Sequence, residues 1–226
     1  MERRVRHRQP KGTETAGPSW TPPRRSPTRP SIMRDAFGAH RSPEELLETA
    51  LVCWMNRTRN ALNGRIRALR LGEPPGLPRA GEIVVNLKNW RAGADAVVAN
   101  GLRGIVRADA TEDDDEPWRL RFPVAFEGDR YPRHVRALAA QFGRDGTFST
   151  VEDLANAGIH VERMGQVGQL LDFGYALTVH KAQGSGFKHV IVVTDMPQWH
   201  ADWRTWAYTA ITRARSKLTI VTRGAR

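Results

Sequence analysis

The sequence predicts an α/β protein: a mainly parallel sheet covered by helices, with a small β-barrel inserted and a disordered tail in front. Three observations predict this. Short apolar strands alternate with segments of helical period at both ends of residues 42–226, the pattern of a parallel sheet covered on both faces. From about residue 79 to residue 170 the texture changes to several short strands around turns, as in a small barrel. Residues 1–41 hold six of the 14 prolines, many arginines and almost no apolar periodicity, so they cannot offset their ordering entropy by burial. The expected organisation is a disordered basic tail over 1–41, an α/β domain from 42–78 and 171–226, and an inserted barrel over 79–170.

Each element follows in order. Ser42-Pro43-Glu44-Glu45 supplies an N-cap, a proline at the first helical position and a glutamate at the third, opening a short helix to about Thr49. The strand ALVCWM comes next, then a helix over Asn56–Gly72 with Leu62, Ile66 and Leu69 on one apolar stripe. Gly72 is its expected C-cap, and Pro74 and Pro75 stop it. The barrel strands are EIVVNLKNW, then VVANGLRGIV around an Asn100–Gly101 turn, then WRLRFPVAFEG, where Leu120, Phe122, Val124 and Phe126 alternate with other residues. The acidic run Glu112–Glu116 is expected in an exposed hairpin loop, and a helix near Val135–Gln141. The final part reads as strand, loop, strand, helix, strand. Trp203, Trp206, Ala207, Ala210, Ile211 and Ala214 form the stripe of a helix over Trp203–Arg215.

Composition bounds the function less sharply. The net charge is +11, but residues 1–43 hold nine Arg and one Lys against three acids, leaving only +4 for the remainder. A basic tail attracts phosphate polymers without sequence preference. No segment approaches the roughly 20 apolar residues of a membrane span, and no apolar run follows the basic start MERRVRHRQPKG as in a secretory signal. The single cysteine, Cys53, lies in an apolar run and reads as a buried thiol in a reducing cytoplasm.

Chemistry is concentrated near the C-terminus. In ALTVH, strand alternation puts Thr178 and His180 on one face, and Lys181 to Gly186 then form a loop at the strand's carboxyl end, where open α/β sheets bind ligands. Thr178, His180, Lys181, Gln183, Gly184 and Ser185 read either as a phosphate-binding array or as an ordinary polar turn. Arg213 reads either as a helix-borne guanidinium reaching a nucleotide on a neighbouring domain or as a solvated surface arginine. Asn56, at the end of another strand, is either an anion contact or a helix cap. Trp90, Trp118, Trp199 and Trp203 are candidates for stacking single-strand bases, although Trp203 also fits a core. His180 and His189 are too isolated for a metal site, and His200 beside Asp202 reads as a loop contact.

Taken together, TVHKAQGSGF is similar to the fifth conserved motif of RecD-like and Dda-like helicases, T-x-H-K-[SA]-Q-G-S-E-F, and YTAITRAR looks like their sixth, Y-T-[AG]-[VI]-T-R-A. The run CWMNRTRNALNGRIR resembles the strand and helix that open the same domain, and the short strands resemble its inserted barrel. The resemblance covers roughly Glu44 to Thr222 and is to the C-terminal domain of RecD-like (UvrD/Rep superfamily 1) ATP-dependent DNA helicases. It implies a RecA-like sheet of the P-loop NTPase type. Arg213 would be the arginine finger of an ATP site. Thr178 and His180 would touch the backbone of single-stranded DNA, with Lys181, Gln183 and Gly184 coupling that contact to the nucleotide. ATP with magnesium, translocation 5′ to 3′ and a place in DNA repair are further implications.

Two departures stand out. The family glutamate that meets the ribose is replaced by Gly186, and no G-x-x-x-x-G-K-[ST] loop occurs in the 226 residues. The first motor domain is thus expected from another domain or chain, and this chain alone is expected to be inactive. HRQ at His7–Gln9 faintly resembles a family segment with a phosphate-contacting arginine, here Arg8. The rival expectations are a non-catalytic DNA-binding module and a decayed helicase fragment.

Overall fold

The computed structural model describes residues 29–72, 76–91 and 97–222. Helices α1 (Arg29–Phe37) and α2 (Pro43–Leu47) lead through β1 (Thr49–Cys53) into α3 (Asn56–Leu71). The antiparallel part follows: β2 (Ile83–Asn86), β3 (Trp90–Arg91), β4 (Val97–Val98), β5 (Arg103–Val106), β6 (Thr111–Glu112), β7 (Arg119–Phe126), β8 (Arg133–Leu138), the short helix α4 (Val151–Ala155) and β9 (Leu171–Phe173). The chain ends with β10 (Ala176–Thr178), α5 (Val179–Ala182), β11 (Phe187–Val193), α6 (Trp203–Ile211) and β12 (Ala214–Val221).

Four strands form a parallel sheet in the order β10-β1-β11-β12. Strand alternation splits its side chains between two cores. Ala50, Val52, Leu177, Val190 and Val192 share one cluster with Trp206 and Ala210 of α6. Leu51, Ala176 and Ile191 face the other cluster, with Phe37 of α1, Leu46 of α2 and Ile66 of α3. The α/β fold with a parallel sheet is therefore as the alternation predicted. The capping box at α2 also forms, Ser42 Oγ accepting from the Glu45 amide and Glu45 Oε2 from the Ser42 amide.

The second sheet runs β6-β7-β5-β2-β9, with β8 on the other edge of β7. It closes on itself. The Leu138 amide donates to Gln169 O at 3.0 Å and the Gln169 amide to Arg136 O at 2.7 Å, and the chain passes from Gln169 into β9. Val84, Val106, Leu120, Phe122, Val124, Phe126 and Leu171 fill the interior. This ladder reaches Phe173, three residues beyond the expected limit of 170.

Four expectations are corrected. Residues 29–37, placed in a disordered tail, form α1, and Phe37 is fully buried against Tyr175 because its ring completes the second core; residues 1–28, with Arg8, lie outside the described residues. The helix expected near Val135–Gln141 is strand β8 and a 3-10 turn, since Val135 and Ala137 alternate into the barrel interior. The Asn100–Gly101 turn, by contrast, forms as expected, between β4 and β5. The acidic run is only partly exposed: Asp113 is buried under Arg121 and Arg136, while Asp114 and Asp115 face solvent. Finally, the buried face of α3 is Arg59, Asn63, Ile66 and Arg67, with Leu69 exposed.

Candidate nucleic-acid and nucleotide edges

A parallel sheet has two unlike edges, and the candidate residues divide between them. Cys53 pairs with Thr178 and Val52 with Val192, so β1, β10 and β11 end together at the carboxyl edge. There Thr178 is buried, and Val179–Ala182 is helical rather than a continuation of the strand. Thr178 and His180 therefore do not share a strand face as expected: the turn of α5 carries His180 out to solvent. Asn56 is exposed at the same edge as the first residue of α3. It is not the cap; Met55 holds that place without a side-chain bond. Instead Asp195, beyond β11, accepts from the Trp54 and Met55 amides at 2.7 and 3.0 Å and fixes the α3 entrance.

The chain then turns back across the sheet. α5 and Gln183–Gly186 run to Phe187, where β11 starts, and the Phe187 amide donates to Arg213 O just before β12 starts. Gln183, Gly184, Ser185 and Arg213 thus lie at the amino edge, not at the carboxyl end of β10 as expected, because one short helix reverses the chain. Helix α6 also ends at Ile211 rather than Arg215, which leaves Arg213 in the turn between α6 and β12. Its Nε donates to Thr209 O at 3.0 Å, one terminal nitrogen to Ser185 O at 3.3 Å and the other to Thr212 Oγ1 at 3.1 Å. All three partners are neutral, and among the described residues no carboxylate pairs with it. Gly184 has φ +80° and open space where a side chain would stand. Gly186 does not: a Cβ there would meet Arg215 Nε at 2.7 Å. Beside Gly186 and Arg215 opens a cavity of about 510 Å³, bounded also by Glu44, Glu48 and Glu127.

Lys181 has a different employment from the one expected. Its ammonium donates to Leu87 O at 3.0 Å and Asn100 Oδ1 at 2.6 Å, both on the barrel hairpin. Burial, and then the charge of Arg59, lowers its pKa. Of the tryptophans, Trp118 and Trp203 pack against the core and Trp90 against the barrel interior, while Trp199 is 85% exposed. The Asp202 amide donates to His200 Nδ1 at 3.2 Å, a loop contact. No group of three His, Cys, Asp or Glu suited to a metal occurs among the described residues. No helix there is long and apolar enough to cross a membrane. Sequence reasoning missed Asp195 and Arg215. The first signals itself only by its place just after an apolar strand, and the second only through contact with Gly186.

The described residues thus form an α/β domain with a four-stranded parallel sheet, an antiparallel insertion, and an arginine at the amino edge held by neutral partners. Residues 173–221 match the family described as the UvrD-like helicase C-terminal domain. The resemblance drawn from TVHKAQGSGF and YTAITRAR is borne out by this match, which spans both motifs. The chain is also 39% identical over 51 residues to an uncharacterized protein of Methanocaldococcus jannaschii, a stretch covering 23% of this chain and 4% of that one. Among solved structures it is similar to the Pif1 helicase from Bacteroides in complex with ADP-AlF3 and ssDNA, at 17% identity and a TM-score of 0.47 over 83% of this chain and 46% of that chain. The Pif1 helicase from Candida albicans gives 13% identity and a TM-score of 0.44 over 84% of this chain and 52% of that one. The chain spans about half the length of these helicases.

Proposed function

We propose that this chain is the C-terminal motor domain of a RecD-like, ATP-dependent DNA helicase, completing an ATP site whose Walker loop belongs to another domain or chain. The observation that carries the reading is Arg213. A guanidinium held by three neutral acceptors at an open edge keeps its charge available for an anion. Gly184 leaves room beside it for close approach of a phosphate. ATP with magnesium would supply the phosphoryl group whose transfer drives the motor. Arg213 would steady negative charge at that group, Gln183 and Gly184 would border it, and α5 would tie this edge to the DNA edge. At the carboxyl edge the exposed His180 and Asn56 are suited to backbone contacts, with Thr178 presenting only its margin and Lys181 acting through the barrel. The resemblance implies translocation 5′ to 3′ and work in DNA repair, and the lone buried thiol of Cys53 suits a cytoplasmic location.

The test joins the chain to a Walker-loop domain. A Walker-loop coding segment adjoining this reading frame is co-expressed with the 226-residue chain and ATP turnover is followed with and without single-stranded DNA. DNA-stimulated turnover by the pair is expected, with none from the chain alone, and Arg213→Ala should lower it by about 10³-fold or more. Its DNA affinity should be unchanged, since Arg213 lies on the opposite edge. Equal turnover by the variant, or steady turnover by the chain alone, overturns the proposal. A second reading, a DNA-binding module without turnover, is favoured by Gly186, whose place Arg215 occupies; it expects no effect of Arg213→Ala in any assay.

A further inference from the structure

At the carboxyl edge three rings form a stepped series from core to solvent. Trp54, directly after β1, packs against the first core with its inner side. The His200 ring stands against it at 5.1 Å between centroids and 64° between planes. Trp199 follows at 6.4 Å and 35° from His200, 85% exposed. An indole left in water gives the fold little, since burying it is the larger gain. Nor is its loop slack. The His200 amide donates to Pro197 O, the Trp203 amide to His200 O and the Asp202 amide to His200 Nδ1. Asp195, at the loop's start, is bolted to the Trp54 and Met55 amides. An exposed aromatic ring on a loop already held by hydrogen bonds loses less entropy on binding than one on a slack loop.

We infer that Trp199 is a stacking platform for one base of a single strand whose backbone follows the carboxyl edge. The inference rests on the DNA-facing reading of that edge. Two observations favour a base over a protein partner. Trp199 stands among exposed polar neighbours, Gln198 and Asp202, so it offers one ring rather than the contiguous apolar patch of a protein interface. Exposed cations, Arg57 in the first turn of α3 and Arg204 in that of α6, flank the elements that meet there, as a phosphate chain requires.

The experiment is a fluorescence-anisotropy titration of the full chain with labelled oligothymidylate and with an abasic oligomer of equal length. Trp199→Ala should weaken oligothymidylate binding roughly 5- to 100-fold, the worth of one stacked base, and leave abasic binding unchanged. Trp199→Phe should restore most of the loss. If the wild-type chain binds both oligomers and Trp199→Ala alters neither, or weakens both equally, the stacking site is wrong while the DNA edge stands. If the wild-type chain binds neither oligomer, the DNA-facing reading falls and the platform with it. Capture of a protein instead, with no preference for oligothymidylate over the abasic chain, overturns the base assignment.

Discussion

Arg67 lies on the buried face of α3 and donates to both carboxylate oxygens of Glu82, at 2.7 and 2.9 Å, with both side chains almost fully buried. One helical turn earlier Asn63 accepts from the Ala176 amide and donates to Phe173 O and Ala176 O, and before that Arg59 pairs with Asp172 at 2.9 Å. Asn63 thereby satisfies backbone groups where the barrel returns to the parallel sheet, at Phe173–Ala176, and the two arginines flank it. Glu82→Gln keeps the shape and removes the carboxylate charge that faces Arg67. A loss of about 3 kcal/mol is expected in chemical denaturation of the purified chain, the scale of breaking one side of a buried pair. A loss within experimental error would mean that the other partners of Arg67, the carbonyls of Gly76 and Leu77 among them, suffice to hold the charge. None of this was legible in the sequence. Helical periodicity counts apolar residues and so selected Leu62, Ile66 and Leu69, whereas burial of a charge is decided by a partner distant in sequence, as Asp172 is from Arg59. Arg213 was legible because it stands in a motif, although the motif gave no sign that the helix ends two residues before it.

At the scale of elements, strand alternation predicted what it measures and failed where it was broken. Both faces of β1, β10 and β11 are apolar, and these strands were found nearly where expected. ALTVH was extended too far, because the helix Val179–Ala182 is too short to show a period. The β11–β12 pair carries a pH dependence that its sequence conceals. The pair bulges near His189, whose Nε2 lies 2.9 Å from Thr219 Oγ1. Burial first, then the charges of Lys217 and Arg41, push its pKa down from 6.5 to about 4. The unfolded chain therefore binds the extra proton between pH 6.5 and about 4 while the folded chain does not. Stability is full above pH 6.5 and falls as pH drops toward 4. Asp113, held at about 2 by its hydrogen bond from Arg121, titrates below that window. His189→Asn should flatten the fall in melting temperature between these limits and leave the fall at lower pH in place. Parallel curves for the two proteins would assign the sensitivity elsewhere.

For the whole molecule the decisive arrangement is that α5 and the loop after it lead from the carboxyl edge to the amino edge of the parallel sheet, while α5 is clamped to the barrel. Lys181 holds Leu87 O and Asn100 Oδ1, and the carbonyl of Lys181 lies 2.7 Å from where a Cβ at Gly101 would stand. Arg103, fully buried in β5, donates to Thr49 O, Gly174 O and Leu47 O and so fastens the barrel to the start of β1. The two fastenings differ in kind: Arg103 joins the barrel to the rigid sheet, and Lys181 joins it to the element that connects the edges. Lys181→Met removes only the second, and the hydrogen bonds lost to a charged donor are worth roughly 1.5–3 kcal/mol. Hydrogen exchange should then rise at the Asn86 and Gly101 amides, which hold the bent hairpin together, while the β1 and β11 amides keep their protection. In the complex with a Walker-loop domain, the same variant should bind single-stranded DNA with little change yet lose most of the DNA stimulation of ATP turnover. That separation would mark Lys181 as a positioning residue acting through the barrel. A parallel loss of DNA affinity would instead mean that the ammonium leaves Leu87 and Asn100 to grip the backbone directly.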